Sequence, residues 1–195
     1  MKEIAFFDFD GTITKRDSLF VFIKHAFGKA KLCLGILALS PWLILHKANL
    51  LSSKKTKERV LKFFFEGMNN IQFTEICNSF STVIDTIVRP QALQKIRDYQ
   101  QKGILVVIVS ASIENWIIPW AKKNQIDVVA TRLEFMNEKI TGRILGENCN
   151  GYEKVLRIKA HYDLNYYQPI ATYGDTKGDL PMLALAPEKH MKPFR

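Results

Sequence analysis

Residues 3–18 read EIAFFDFDGTITKRDS, an apolar run that ends abruptly in acids and a glycine. Glu3–Phe9 has the pattern of a buried parallel strand, and Gly11-Thr12 breaks it. Asp8 and Asp10 therefore stand at the carboxyl end of a strand, where parallel α/β sheets bind their ligands.

Downstream, no convincing strand is found between residues 15 and 90. Residues 18–27, SLFVFIKHAF, have helical spacing with Ser18 as the expected N-cap. Residues 54–66 and 72–88 are expected to be helices, with Phe73, Ile76, Cys77, Phe80, Val83, Ile84 and Ile87 forming the apolar stripe of the second. Beyond Pro90 the pattern changes to alternating strands and helices. A helix over 91–102 is ended by Gly103, and Ile104–Val109 reads as a second buried strand. A helix over about 112–124 precedes a strand at Ile126–Ala130. Residues 131–146 suggest a hairpin turning near Asn137-Glu138. A helix over 151–162, a strand at Ile170–Tyr173 and a helix over Lys177–Ala186 complete the chain. This order predicts an α/β protein, a Rossmann-like parallel sheet. The helical block is inserted after the first strand. The core is expected at 1–14 and 90–195, and the helical cap at 15–89.

The ends of the three best strands are polar. The first gives DFDGT at 8–12, the second Ser110-Ala111-Ser112 and the third GDTKGD at 174–179. Neighbouring strands would gather Asp8, Asp10, Asp175 and Asp179 at one edge, where like charges repel. A divalent cation is the simplest compensation, and an all-oxygen donor set favours Mg²⁺.

With Lys154 in NGYEKVLRI, these motifs resemble the haloacid dehalogenase superfamily in order and structural setting. The all-helical insertion resembles its phosphoserine-phosphatase-like branch. FFDFDGTITKRDSLF, NCNGYEKV and GDTKGDLPML are similar to a subgroup that includes a bacterial phosphatidylglycerophosphate phosphatase. The resemblance implies a Mg²⁺-dependent phosphomonoester hydrolase. Asp8 would be the nucleophile and would form an aspartyl phosphate. Asp10 would be the general acid and base, with Thr12 orienting it. Asp8, the Asp10 carbonyl and Asp175 would hold the metal. Asp179 would support the metal or hold Lys154. Ser110 and the backbone N–H groups at Gly11 and Ala111 would bind the phosphoryl oxygens, and Lys154 would neutralise charge.

This chain departs from phosphoserine phosphatase in having Ala111-Ser112 in place of a Gly-Gly pair. It also has Gly178 in place of an Asn, and only the shorter Asp17 where that enzyme has a cap-proximal acid. Asp17 is either a reader of a substrate amine or a helix-start acid. The departures leave the chemistry intact and the leaving group open. Other readings are a phosphotransferase, a phospholipid head-group phosphatase and a non-catalytic phosphate-binding protein.

Composition narrows the partners. The 195 residues carry a net charge of +9, and 15–90 contributes seven of those charges with twelve basic and five acidic residues. Such a field draws in an acidic substrate or rests on an anionic membrane surface. No basic run interleaved with aromatics points to nucleic acid. Leu32–His46, LCLGILALSPWLILH, is a fifteen-residue stretch without formal charge. It is shorter than the about 20 residues of a spanning helix and contains Pro41. It therefore reads as a buried or interfacial helix. Asp8 and Asp10 interrupt the N-terminal apolar stretch, which excludes a signal-peptide reading. Cys33, Cys77 and Cys149 have no metal-ligand spacing and fit reduced thiols. The expected location is cytoplasmic, with peripheral contact at the inner membrane face through 32–46 as an option. The four histidines and three tryptophans are read as packing or surface residues, with Trp42 also a candidate interfacial anchor.

Overall fold

The computed structural model describes residues 1–48 and 50–194. Its centre is a six-stranded sheet in the order β4-β3-β2-β1-β5-β6. The strands are β1 (Lys2–Phe7), β2 (Leu105–Ile113), β3 (Asp127–Met136), β4 (Lys139–Leu145), β5 (Tyr167–Gly174) and β6 (Glu188–Met191). All neighbours are parallel except β3 and β4. The expected parallel α/β sheet is therefore present. Strand β1 lies between β2 and β5, so the three polar strand ends become neighbours.

The first strand stops at Phe7, two residues earlier than the sequence suggests. Residues Phe9–Ile13 coil into a helical turn around Gly11, whose φ is 79°. Glycine accepts that left-handed conformation without the steric cost of a Cβ. Three longer strands differ in the other direction, β2 by running on to Ile113. Strand β3 extends into the hairpin, and β5 begins three residues before Ile170. The hairpin turns at Asn137 and Glu138, both with positive φ, as its position predicts.

Three helices form the block that follows β1: α1 (Ser18–Lys47), α2 (Ser53–Phe65) and α3 (Asn70–Ile87). Each start is set by a short polar side chain. Asp17 accepts from Leu19 N–H, Ser52 from Lys55 N–H and Asn69 from Ile71 N–H. Ser18, expected as the first cap, is instead the first helical residue. The longer reach of the preceding carboxylate takes the cap role. Helix α1 breaks at Gly28 (φ 81°), giving two segments. No strand forms among the described residues of this block, only isolated bridges Thr14–Val88 and Asn69–Lys139. The entering and leaving chains are pinned together by Lys15 N–H to Ile87 O and Arg89 N–H to Ile13 O, both 2.8 Å.

The block rests on α5 (Glu114–Lys123) through α3 and on β4 through α2. Phe22, Phe65, Phe73 and Phe80 meet Trp116 in one aromatic core, with the Phe22 and Trp116 rings 4.7 Å apart. Burial of each such ring stabilises the fold by roughly 1.5–3 kcal/mol. Helices α4 (Pro90–Gln101) and α6 (Tyr152–His161) complete the long connections. The helix expected over Lys177–Ala186 is a tight turn at Lys177–Asp179 followed by the short α7 (Leu180–Leu183). Asp179 turns its carboxylate back onto Thr176 N–H and hydroxyl, which ties up that first turn.

Candidate active site

Asp8 leaves β1 with its N–H bonded to Tyr173 O at 2.8 Å, so β5 fixes where it stands. Lys154, in the first turn of α6, points under the sheet edge. Its ammonium donates to Asp8 Oδ1 and Asp179 Oδ1 at 2.6 Å and to Val109 O at 2.8 Å. All three ammonium donors are thus used, although the residue is 1% exposed. Burial opposes the charge of Lys154, but Asp8 and Asp179 outweigh it and hold its pKa above the usual lysine range. Burial, opposed by Lys154 and aided by Asp179, pushes Asp8 up to about 7. For Asp179 burial acts in the same sense, yet Lys154 and the N–H groups of Thr176 and Asp175 hold it below the usual range.

Ligand oxygens of Asp8, Asp175 and Asp179 lie within 4.8 Å of one another. Gly174 makes this approach feasible. A Cβ there would stand 2.5 Å from Asp179 Cβ. The donors are all oxygen, the set that a hard cation such as Mg²⁺ prefers. One lysine among three converging carboxylates leaves net negative charge in a buried place, which a divalent ion would balance.

Asp10 faces away from this cluster. Its Oδ1 accepts from Ser18 N–H at 2.7 Å and its Oδ2 from Ser112 Oγ–H at 2.5 Å. Ser112 N–H in turn donates to Ser110 Oγ at 3.0 Å. Burial foremost, and the nearby Asp17 charge next, raise Asp10 to about 6. Thr12 does not orient Asp10. Thr12 is buried beneath the turn, and its hydroxyl has no hydrogen-bond partner among the described residues. Ser112 and the start of α1 hold Asp10 instead, because the coil at Phe9–Ile13 turns the acid toward them.

A cleft of about 370 Å³ opens above these groups. Asp8, Asp10, Ser110, Ala111, Lys154, Asp175 and Asp179 border it, as does Asp17. Gly11 forms the turn beside it. Asp17 is thus the helix-start acid of α1, and it also faces the cleft. Burial raises its pKa.

The sequence did not single out Lys57, Asn150, His46, Ser53 or Ser112 as functional. Lys57 reaches from α2 and donates to Ala111 O at 2.5 Å and Asn148 Oδ1 at 2.7 Å. Burial lowers it to about 8, against the pull of Asp10 and Asp17. Nothing in SKKTKER distinguishes this lysine from its neighbours; only packing does. Asn150 occupies the space that the missing side chain of Gly178 leaves free. His46 borders the cleft, but its ring is engaged with Leu51 O at 2.9 Å. Trp42 lies beneath the Arg59 guanidinium, 4.8 Å from the ring centre.

A parallel sheet with acids converging at its carboxyl edge, a buried lysine and a helical insertion after the first strand defines the class. The chain belongs to the haloacid dehalogenase-like hydrolase family, whose model matches residues 5–184. It is thus an enzyme of that hydrolase family. It is 34% identical over 192 residues to Protein CicA of Caulobacter vibrioides, an alignment covering 97% of this chain and 85% of the relative. A Bordetella pertussis Tohama I protein of unknown function shares the fold with a TM-score of 0.79 at 21% identity, over 94% of this chain and 86% of that one. Phosphoserine phosphatase, solved as a phospho-aspartyl intermediate analogue, shares it with a TM-score of 0.61 at 18% identity, over 95% and 83%.

Proposed function

We propose that the chain is a Mg²⁺-dependent phosphatase that transfers the phosphoryl group of a monoester to Asp8 and then to water. The observation that carries this reading is the pairing of two carboxylates with opposite surroundings. Asp8 is bonded to Lys154 at 2.6 Å, whereas Asp10 is held apart by Ser112 and Ser18. Asp8 attacks phosphorus, and the ester oxygen leaves with a proton from Asp10. Asp10, raised to about 6, is a suitable proton donor near neutrality. It then takes a proton from the water that cleaves the acyl phosphate. Lys154 offsets charge on Asp8 and the transferring group, while Ser110 and the N–H groups at Gly11 and Ala111 hold phosphoryl oxygens. Mg²⁺ would be held by Asp8, Asp175 and the Asp10 carbonyl, with Asp179 supporting, and would supply positive charge to the phosphoryl oxygens.

Residues 15–89 act in this reading as a cap on the core of 1–14 and 90–195. Lys57 and Asp17 bring one charge of each sign to the cleft and so select the leaving group. The substrate is a phosphorylated small molecule. A phosphorylated lipid head group is the second reading, favoured by the exposed apolar helix that precedes His46. The three cysteines are unpaired thiols, which supports a cytoplasmic location.

The test is phosphate release with Mg²⁺ from phosphoserine, sugar phosphates, nucleotides and phosphatidylglycerophosphate in detergent, with Asp8→Asn as control. One strong substrate, lost in the variant, is expected. Turnover retained by Asp8→Asn would remove the nucleophile. Transfer of the phosphoryl group to an added alcohol in preference to water would make the enzyme a phosphotransferase.

A further inference from the structure

After the break at Gly28, helix α1 continues from Lys29 to Lys47 and is apolar on every side. Its inner face packs on α2. Leu39 is buried there, and Gly35 meets the Phe64 ring so closely that a Cβ would collide. Its outer face of Leu34, Ile36, Leu37, Pro41, Ile44 and Leu45 meets solvent. Leu34, Leu37 and Ile44 are 64%, 72% and 67% exposed. Soluble surfaces rarely carry contiguous apolar area of this kind unless something covers it.

The formal charge along this stretch of chain has one sign, although Lys54 is paired with Glu147 at 2.8 Å. From Ser18 to Lys57 the chain holds seven lysines and no Asp or Glu. Lys29 and Lys31 stand exposed at one end of the apolar face and Lys47 at the other. We infer that this face docks on an anionic lipid bilayer, with the helix lying in the plane of the surface. A second copy is disfavoured, because pairing would bring two acid-free, lysine-rich segments together. A protein partner would be expected to exchange about one hydrogen bond per 100–200 Å². The six outer side chains offer neither donor nor acceptor, which hydrocarbon does not require. By length and composition alone α1 could cross a membrane, but it breaks at Gly28 and its charge-free part is short. Fifteen charge-free residues rise about 22 Å, against a hydrocarbon core of about 30 Å. The inner face also stays on α2, itself rich in lysine. The docked helix leads directly to His46 and Ser53, which border the cleft. The docking is independent of the phosphatase chemistry and is measured without turnover.

The experiment is co-sedimentation of the full chain with vesicles of phosphatidylcholine alone or mixed with phosphatidylglycerol, at low and high salt. Binding is expected to the mixed vesicles and to weaken with salt. Leu34→Asp with Leu37→Asp should weaken partitioning about tenfold or more. Lys29→Glu with Lys31→Glu should abolish the preference for anionic lipid. Near-UV circular dichroism should show both variants folded, and Asp8→Asn should bind like the parent. Equal binding by parent and leucine variant, absence of binding to either vesicle, or a solution dimer that the leucine variant dissociates would each overturn the inference.

Discussion

Replacing Lys154 with Met removes a buried charge while nearly keeping its volume, and the consequence can be worked from the contacts. Two carboxylate oxygens lie 2.6 Å from the ammonium. At an effective dielectric of about 20, each contact is worth roughly 6 kcal/mol before desolvation is counted. Several kcal/mol per ion oppose that attraction. In the variant the attraction is gone, but the carboxylates remain buried and Val109 O loses a donor. The expected net loss of stability is about 3–5 kcal/mol.

The sign of the pH dependence follows from the acids. Asp179 is now held low by Lys154, so it contributes stability present above the unfolded carboxylate value and lost as pH falls. Asp8 is already raised to about 7, so its contribution is present at low pH and is lost as pH rises through that value. Without the lysine, both folded-state values move upward. The variant therefore weakens further as pH rises, and its gap from the parent widens between about pH 5 and about pH 8. Urea unfolding followed by tryptophan fluorescence, in EDTA at both pH values, measures this gap. A difference below about 1 kcal/mol at both, or one that narrows as pH rises, would refute the reasoning.

Other outcomes follow from the same site. EDTA should silence turnover and Mg²⁺ restore it, and added Mg²⁺ should raise the melting temperature of the parent more than that of Asp175→Asn. Ser112→Ala should slow turnover by about tenfold or more by freeing Asp10; an unchanged rate would show that Ser18 N–H alone suffices. Lys57→Met should raise KM more than it lowers kcat. In the parent, affinity for an anionic substrate should fall as pH rises through about 8, where Lys57 loses its proton, and the variant should lack that step. Phe22→Ala should cost about 3–5 kcal/mol in urea unfolding, because Phe22 joins the helical block to Trp116.

The sequence by itself determined the sheet-forming runs, the helical block after the first strand and the acids that close each strand. These are legible because apolar periodicity and chain-breaking residues act over a few neighbours. Asp8, Ser110, Asp175 and Asp179 could be named because the parallel sheet dictates which loops converge, whereas Lys154 could be named through the family resemblance alone. Short or polar elements escaped that logic. Strand β6, with EKHM, has no apolar signal, and its pairing with β5 alone makes it a strand. The shortened β1 and the turn at Phe9–Ile13 depend on how the chain packs after Gly11, which decides where Asp10 faces.

Only the tertiary structure decided which polar groups meet. Lys57 is one of three lysines in SKKTKER, and its burial against Ala111 and Asn148 arises because α2 rests on the hairpin. Ser112 holds Asp10 across about a hundred residues of chain, a contact no local pattern encodes. The same holds for the apolar run after Gly28. Composition showed that it was apolar, but only the packing of its inner side on α2 left Leu34, Leu37 and Ile44 facing outward. Local pattern fixes what each segment can form, while the positions of side chains from distant segments depend on which faces those segments bury against one another.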